Sequence, residues 1–381
     1  MKKIMLGLSL ATLILTGCSG ATTKTSTNTD VAWKYVKDLP VPKGYEVQKG
    51  VAGPLAGNIG DYVVVAGGAN FPHKSVLEGG PKVVYSDLYL MKKVKNGLEL
   101  VKHTQLPKEI GYGTAISTDK GIYYVGGTYQ SGISNEVLFI TLNADKTDVV
   151  VKTIGTLPFN YHSGVAVLRG DDIYIVSGKQ DGKDSKNFYK YNLTTGKTTA
   201  LKMFPGTERS QPVGQILNNG SEDLLYVFGG GTGVAFTDGY AYNFAKDTWV
   251  KVKDVELKNK GISLLGANSV KLNSNEMLVI GGFNKDVWDD ANLKLGSLKG
   301  KELEKYRHNY FTMDPQDFNW NKEMLVYDAT NNTWKSIGQV PFIAPCGEGL
   351  VKIGETIYSI NGEIKPGVRS ERIYQGTIIK D

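Results

Sequence analysis

The sequence predicts an all-β fold built from repeated units, and three observations support this prediction. The chain has 381 residues, of which 46 are glycine and 21 are tyrosine, a composition typical of aromatic strands joined by tight turns. Six short apolar strands end in a pair of small residues at near-regular intervals. The two ends of the repeated region also look like complementary parts of a single unit.

The repeated strand contains about four apolar residues followed by a small pair, which is Gly-Gly in four of the six copies. The second residues of these pairs are 59, 51, 52, 52 and 80 residues apart. A period near 50 residues resembles that of kelch repeats, in which each repeat forms one four-stranded blade of a β-propeller. The copies are residues 62–68, 122–127, 173–178, 225–230, 277–282 and 357–362.

The segments between these strands complete the predicted blades. Residues 191–197, 242–249 and 327–334 are strand–turn–strand units, and in four blades a proline ends the outer strand, at residues 107, 158, 205 and 341. Residues 33–40 look like the last strand of a blade, whereas residues 347–380 look like its first three strands. We therefore expect one domain, from about residue 31 to 381, with six blades and a ring closed by pairing of the N- and C-terminal strands.

The longest interval contains an insertion at about residues 286–321. This insertion is polar but carries interspersed aromatic residues. Long loops inside compact domains are uncommon unless they are functional. The insertion is therefore expected to form a partly helical lid over one end of the ring.

The N-terminus has the features of a processing segment. Lys2 and Lys3 precede an apolar stretch that ends in Leu-Thr-Gly-Cys at residues 15–18, which resembles the lipobox of bacterial lipoproteins. Residues 1–17 are thus expected to be a signal peptide, Cys18 the lipidated residue and residues 18–30 a flexible tether. These features predict an exported lipoprotein, periplasmic or on the cell surface, anchored to a bacterial membrane through Cys18.

Charge and cysteine content exclude several classes of function. The formal net charge is +6, or +4 after removal of residues 1–17, which is too weak and dispersed to predict nucleic-acid binding. The four histidines show no metal-ligand spacing, so no metal site and no cofactor are expected. Cys346 is the one other cysteine besides Cys18 and is interpreted as a small packing residue.

Propeller geometry predicts which loops converge. In each blade the loop after the Gly-Gly strand and the loop leading into the innermost strand lie at the same end of the ring, where functional residues usually cluster. These loops carry amide, aromatic and charged side chains. The candidates for substrate binding are Asn70, Tyr112, His162, Arg209, Gln211, Asn284 and Lys365, beside Glu363 and Arg369.

Three segments resemble motifs of the bacterial N-acetylneuraminate epimerases, the sialic acid mutarotases, which are six-bladed kelch propellers. The most specific is I-N-G-E-I-K-P-G-V-R at residues 360–369. F-P-G-T-E-R-S-Q at residues 204–211 is similar to the family's F-P-G-x-x-R-x-Q, and G-G-F-N at residues 281–284 precedes an aromatic-rich insertion. Two blades that family members usually have at the C-terminus look like residues 51–140 here, so the chain resembles a cyclically permuted branch.

The resemblance implies a sialic acid as the small-molecule substrate, Glu363 as general base and Arg369 as the cation that orients the substrate, with Arg209 in support. Exchange of the two anomers needs a base for the anomeric hydroxyl and an acid for the ring oxygen. Arg369 or Arg209 could hold the substrate carboxylate. The proton donor could be Lys365, His162, Tyr112 or water.

Two alternative functions belong to other classes. One is a kelch lipoprotein that binds a glycan or a protein without catalysis. The other is a sialidase-like glycosidase. Sialidases carry S-x-D-x-G-x-x-W repeats and an R-I-P motif, whereas this chain has one degenerate copy at residues 117–124 and no R-I-P.

Overall fold

The computed structural model describes residues 29–380, which are nearly all in β-strands and loops. Six four-stranded antiparallel sheets, numbered 1 to 6 by the order of their first strands, make up most of this described part. The predicted signal peptide, Cys18 and residues 18–28 of the tether lie outside the described residues. The strands of sheet 1, in order, are Leu55–Ile59, Tyr62–Ala66, Asp87–Val94 and Gly97–Gln105. Those of sheet 2 are Thr114–Ser117, Ile122–Val125, Glu136–Leu142 and Val149–Thr156. Those of sheet 3 are Val165–Arg169, Asp172–Val176, Phe188–Asn192 and Thr198–Ala200.

Sheets 4 to 6 follow the same pattern, with sheet 6 drawn from both ends of the described chain. The strands of sheet 4, in order, are Val213–Asn218, Asp223–Phe228, Gly239–Asn243 and Thr248–Val252. Those of sheet 5 are Asn268–Lys271, Glu276–Ile280, Glu323–Asp328 and Thr333–Gln339. Those of sheet 6 are Gly349–Ile353, Thr356–Ile360, Arg372–Lys380 and Thr29–Asp38. Short two- and three-stranded sheets lie in the loops; they join Ala69–Asn70 with Val83–Val84, Tyr161–His162 with Lys179–Gln180 and Lys183–Asp184, Glu256–Leu257 with Lys260–Gly261, and Glu363–Lys365 with Val368–Arg369.

The second strand of each sheet is the apolar strand of the sequence repeat. In Thr356–Ile360 all five residues are buried, and in Tyr62–Ala66 four of five are buried. A strand that is covered on both faces of its sheet has a continuous run of apolar residues, whereas a strand with one solvated face has alternating apolar and polar residues. This is why the repeat is visible in the sequence.

Apolar packing joins each sheet to the next and joins the last sheet to the first. Six clusters of buried side chains each span two adjacent sheets. Phe228 of sheet 4 packs on Tyr327 of sheet 5 with ring centroids 4.6 Å apart, and Tyr358 of sheet 6 shares a cluster with Val63 of sheet 1. The first strands also contact one another in order, and that of sheet 6 contacts that of sheet 1. The contacts between sheets therefore close on themselves.

The small pair that ends each second strand is required by a close backbone approach. Gly281 has φ +82°, and a Cβ at this position would lie 2.1 Å from the carbonyl oxygen of Pro345. No side chain fits there, so glycine is needed for both the conformation and the space. In sheet 6 the equivalent residue is Asn361, with φ +57°, a conformation that asparagine tolerates better than most residues.

The expected pairing of the N- and C-terminal strands is present. Thr29–Asp38 pairs antiparallel with Arg372–Lys380 and forms the outer strand of sheet 6. This strand begins two residues earlier than the sequence pattern indicated, so Thr29 and Asp30 do not belong to the tether. Their backbones pair with Lys380 and Ile379, which fixes them although they lack an apolar pattern.

The insertion in sheet 5 forms two helices, α1 (Lys285–Ser297) and α2 (Gly300–Thr312), and a short 3-10 helix, Pro315–Phe318. It is held by a buried aromatic cluster that includes Tyr310 and Phe318. Cys346 is buried in the same cluster, and burial raises the pKa of its thiol. Within residues 29–380, no helix has the length and apolarity needed to cross a membrane.

Candidate active site

A cavity of about 1050 Å³ runs along the axis where the six first strands meet. All six first strands, the loops that lead into them and the two helices of the insertion contribute to its wall. The prediction that these loops converge is thus confirmed. The insertion faces the cavity with mostly apolar side chains, which include Trp288, Leu295 and Phe311.

A chain of backbone hydrogen bonds surrounds the mouth of this cavity. Two residues before each first strand the chain has positive φ, and at five of these six positions the N–H donates to the equivalent carbonyl of the neighbouring sheet. Tyr112 donates to Gly53 at 2.7 Å, Ser163 to Tyr112 at 2.8 Å, Gln211 to Ser163 at 2.7 Å, and Gly53 to Gly347 at 2.7 Å. These bonds hold the side chains of Tyr112 and Gln211 at the cavity wall.

Glu363 and Arg369 lie opposite each other on a short hairpin at the same wall. Glu363–Lys365 pairs with Val368–Arg369, and Glu363 is the register partner of Arg369. The N–H of Gly367 donates to Oε1 of Glu363 at 2.8 Å, and Nη1 of Arg369 lies 3.3 Å from the same oxygen. The hairpin therefore holds one carboxylate and one guanidinium side by side at the cavity.

Arg369 has unused hydrogen-bonding capacity. Its side chain is 5% exposed and its guanidinium carbon lies 5.0 Å from the ring centroid of Phe71. Within residues 29–380, Nε and Nη1 of Arg369 make no hydrogen bond. The contact between Nη1 and Glu363 is an ion pair that lacks hydrogen-bond geometry. A buried guanidinium with free donors favours an anionic ligand, since unsatisfied buried donors are costly.

His162, Tyr112 and Gln211 also line the cavity, as the sequence predicted. Burial and the cations Lys179 and Lys82 lower the pKa of His162 to about 4, so the imidazole is neutral at pH 7. Its Nδ1 lies 2.9 Å from Oγ of Ser163. Burial raises the pKa of Tyr112, and the nearby Arg369 partly offsets the rise.

Four lysines line the cavity, Lys82, Lys179, Lys271 and Lys352, and none was among the predicted residues. Nζ of Lys179 lies 2.9 Å from Oδ1 of Asp184, which is an ion pair. Nζ of Lys82 lies 4.8 Å from the ring centroid of Tyr112. Lys179 directly follows Gly178, as Glu363 directly follows Gly362. Because the two residues occupy equivalent positions of the repeat, Lys179 could have been predicted to lie at the cavity. No local pattern marks Lys82.

Glu348 is a buried carboxyl group beside the hairpin. It is 3% exposed, and burial raises its pKa to about 8. It is therefore protonated at pH 7 and adds no negative charge beside Arg369 and Lys82. Among residues 29–380, no group of three or more His, Cys, Asp or Glu side chains is arranged to hold a metal ion.

The sequence predicts a substrate-binding role for Arg209, but its side chain does not line the cavity. Its side chain is fully buried, lies between the rings of Phe204 and Phe236 and forms a bidentate ion pair with Asp238, with Nη2 2.9 Å from Oδ2. Its Nε donates to the carbonyl of Thr207 at 2.9 Å. The guanidinium is occupied by the fold itself.

Asn70, Asn284 and Lys365 also lie outside the cavity wall, and the structure corrects their predicted role. Asn70 is buried, where its Oδ1 accepts from the hydroxyl of Tyr85 at 2.8 Å. Asn284 caps helix α1 by accepting from the N–H of Val287 at 3.1 Å. Nζ of Lys365 donates to the carbonyl of Met313 at 2.7 Å, which ties the hairpin to the insertion.

Comparison with known proteins identifies one family over nearly the whole chain and individual relatives over about half to two thirds of it. The N-acetylneuraminate epimerase family matches residues 14–151 and 154–381. The N-acetylneuraminate epimerase of Salmonella typhi is 35% identical over 182 residues, which are 46% of this chain and 45% of that protein. That of Salmonella arizonae is 34% identical over 260 residues, 64% of each chain, and that of Pasteurella multocida is 33% identical over 234 residues, 59% of each.

The matched segments thus span about half to two thirds of the length of these relatives. A solved structure, described as the structure of YjhT, is 26% identical with a TM-score of 0.51, and the match covers 58% of this chain and 65% of that one. The family match extends through the Glu363–Arg369 hairpin and the cavity it faces. The chain belongs to the N-acetylneuraminate epimerase family.

Proposed function

We propose that this protein interconverts the α and β anomers of N-acetylneuraminate. The observation that carries the proposal is the hairpin on which Glu363 and Arg369 face each other at the wall of one cavity. A carboxylate can act as a general base and a guanidinium can bind a carboxylate substrate. Family membership supports the same activity and substrate.

The reaction opens and recloses the sugar ring. Glu363 takes the proton of the anomeric hydroxyl, the bond from the anomeric carbon to the ring oxygen breaks, and the ring oxygen receives a proton. The open-chain ketone is planar at the former anomeric carbon, so rotation about the adjacent bond presents its other face for closure. The N–H of Gly367 holds the Glu363 carboxylate in place for both proton transfers.

The substrate carboxylate is attached to the anomeric carbon, so the group that holds it must lie next to the base. Arg369 meets this requirement, since its Nη1 is 3.3 Å from Oε1 of Glu363. Its guanidinium belongs to the cavity wall and can pair with the carboxylate. Lys82 adds a second positive charge at the cavity wall, which favours a monoanionic sugar.

The test is a time-resolved NMR experiment. α-N-acetylneuraminate, freshly released from a sialoside, is followed with and without the protein, and the exchange is expected to be faster with protein. Failure to exceed the spontaneous rate at any protein concentration would overturn the proposed activity. Binding without acceleration would instead favour a non-catalytic glycan-binding protein.

Replacing Arg369 by lysine is expected to raise the KM for N-acetylneuraminate about 10- to 150-fold, because a hydrogen bond to a charged group contributes about 1.5–3 kcal/mol. Lysine keeps the charge but loses the planar pair of donors. KM is measured from exchange rates by NMR at several substrate concentrations. The control is Arg372→Lys, since Arg372 is exposed and bonds to Tyr374 instead of the cavity. An unchanged KM in Arg369→Lys would contradict the assignment.

We also propose that the six sheets are the blades of one kelch-type β-propeller domain with a permuted blade order. The closed sequence of contacts between first strands supports the ring. The family match in two segments, together with the partial coverage of individual relatives, is what a permuted chain gives when it is aligned in linear order. A closed ring tolerates such permutation because the ends can be moved between blades without loss of packing.

We also propose that acyl chains on Cys18 anchor the protein to a bacterial membrane. Cys18→Ala is expected to move the protein from the membrane fraction to the soluble fraction and to abolish incorporation of a labelled fatty acid, because acyl chains supply the membrane affinity. Cell fractionation and metabolic labelling measure the two effects. Cys346→Ala is the control, since that cysteine is buried in the fold. Labelling that persists in Cys18→Ala would rule out this anchor.

A further inference from the structure

We propose that Lys82 is the catalytic general acid, the group that gives a proton to the ring oxygen when the sugar opens. This inference rests on the proposed anomer exchange. The position of Lys82, its lack of a counter-ion and the unsuitability of the other candidates support it.

The backbone of Lys82 is held at the cavity by neighbouring elements. Its loop leaves sheet 1 and returns through Val83–Val84, which pairs with Ala69–Asn70. The side chain of Gln130, from sheet 2, fixes this return by donating to the carbonyl of Lys82 at 3.1 Å and accepting from the N–H of Val84 at 2.8 Å. Val76 of the same loop packs against Gly367 of the hairpin.

The ammonium group of Lys82 lies among the groups that the reaction needs. It is over the ring of Tyr112 and within electrostatic range of Arg369 and Glu363 and of His162. The anomeric hydroxyl, the ring oxygen and the carboxylate of the substrate share one carbon atom. A base, an acid and a carboxylate-binding cation must therefore converge, as these three charged residues do.

The ring of Tyr112 is the contact shown for the ammonium group of Lys82. Within residues 29–380, its Nζ makes no hydrogen bond and no ion pair, whereas Lys179 pairs with Asp184 and Lys365 bonds to Met313. Burial and the charge of Arg369 lower the pKa of Lys82, and Glu363 opposes this change. A lysine with a lowered pKa is a better acid than an ordinary lysine and stays protonated below that pKa.

The other cavity groups are less suited to this step. Neutral His162 and the buried Tyr112, with its raised pKa, are weak acids at pH 7. Glu348 is protonated, but it is only 3% exposed, whereas Lys82 is exposed. Lys365 is engaged outside the cavity wall.

The proton balance is simple. On opening, Glu363 gains the proton of the anomeric hydroxyl, the carbon–oxygen bond of the ring breaks, and Lys82 passes a proton to the leaving oxygen and becomes a neutral amine. On closure, the sugar hydroxyl returns a proton to Lys82 as its oxygen attacks the ketone, and Glu363 protonates the ketone oxygen. Both residues are then restored and nothing is oxidised or reduced.

Lys82→Arg tests this role, because arginine keeps the positive charge but does not release a proton in proteins. We expect kcat for anomer exchange to fall about 10²- to 10⁴-fold while KM changes less than about threefold. Wild-type kcat should decline as pH rises through the Lys82 pKa, below the ordinary lysine value of about 10.4, and this decline should disappear in Lys82→Arg. Exchange is measured by NMR and corrected for the spontaneous rate at each pH.

The matched control is Lys108→Arg, since Nζ of Lys108 lies 5.2 Å from the ring centroid of Tyr129 but outside the cavity wall. Its kcat should equal that of the wild type, and urea unfolding checks that both variants are folded. A wild-type kcat in Lys82→Arg, or a Lys82→Met variant in which KM rises and kcat is unchanged, would contradict the proposal. Either result would show that Lys82 only attracts the substrate carboxylate by its charge. A wild-type protein without any acceleration would overturn the proposed function and this inference together.

Discussion

Glu363→Gln is expected to lower the protein-catalysed rate of anomer exchange about 10²- to 10⁴-fold, the range for loss of a general base. Glutamine has nearly the same shape, and its carbonyl oxygen can still accept the N–H of Gly367, which now bonds to Oε1 of Glu363 at 2.8 Å. The amide cannot take the proton of the anomeric hydroxyl. The substitution therefore removes the proton transfer and leaves the hairpin intact.

The measurement is kcat from exchange NMR, with KM as a check on binding. Glu99→Gln is the matched control, because Glu99 is exposed on the outer strand of sheet 1 and its loss should leave kcat unchanged. An active Glu363→Gln variant would assign the base to another residue. Equal loss of rate in both variants would point to a general effect of lost negative charge.

The fold could be predicted because each repeat is marked by a short local pattern, an apolar strand followed by a pair of small residues. Each second strand is buried on both faces and must be apolar throughout, and each small pair touches the backbone of the next sheet, as Gly281 does at Pro345. The positions and the spacing of six strands follow from these two requirements. Sheet closure by the termini was also predictable, because each terminal segment carries part of one unit.

The side chains at the cavity were harder to predict because strand alternation decides which way each one points. Glu363, Lys179 and Phe283 occupy the first position after the small pair and line the cavity. The predicted Asn70 and Asn284 occupy the second position, and neither lines it. Successive side chains of an extended chain point to opposite sides. The prediction at sheet 5 was therefore one residue too far along, and the prediction at sheet 1 missed the next residue, Phe71.

Long-range contacts account for the remaining differences. Lys82 reaches the cavity only because its loop folds back and pairs with Ala69–Asn70, and no local pattern encodes that return. Arg209 matches a family motif, but its partner Asp238 is 29 residues further along the chain. A motif in the sequence does not distinguish a guanidinium that binds substrate from one that holds the fold.

Arg209→Met is expected to destabilise the protein by about 3 kcal/mol, because removal of one partner of a buried ion pair leaves the other charge uncompensated, at a cost of about 3–5 kcal/mol. The lower end applies here, since the side chain of Asp238 is 24% exposed and retains some hydration. Methionine fills part of the space between Phe204 and Phe236, so loss of packing adds little.

Urea unfolding measures this effect as a lower midpoint with an unchanged dependence on urea concentration. The folded variant should keep the wild-type KM for N-acetylneuraminate, because Arg209 lies outside the cavity wall. Lys251→Met is the control, since Lys251 and Asp254 form an exposed ion pair and such pairs contribute at most about 1 kcal/mol. A stable Arg209→Met variant with a raised KM would restore Arg209 to the substrate site.

A double variant separates the cost of the uncompensated charge from the value of the ion pair itself. In Arg209→Met with Asp238→Asn, no charge is left unpaired, so the double variant is expected to be more stable than Arg209→Met alone. Arg209 also donates to the carbonyls of Thr207 and Gly229, each at 2.9 Å, and these bonds stay lost in both variants. The recovered part of the stability therefore measures the isolated carboxylate, and the unrecovered part measures the bonds by which Arg209 joins the loop before sheet 4 to the end of its second strand.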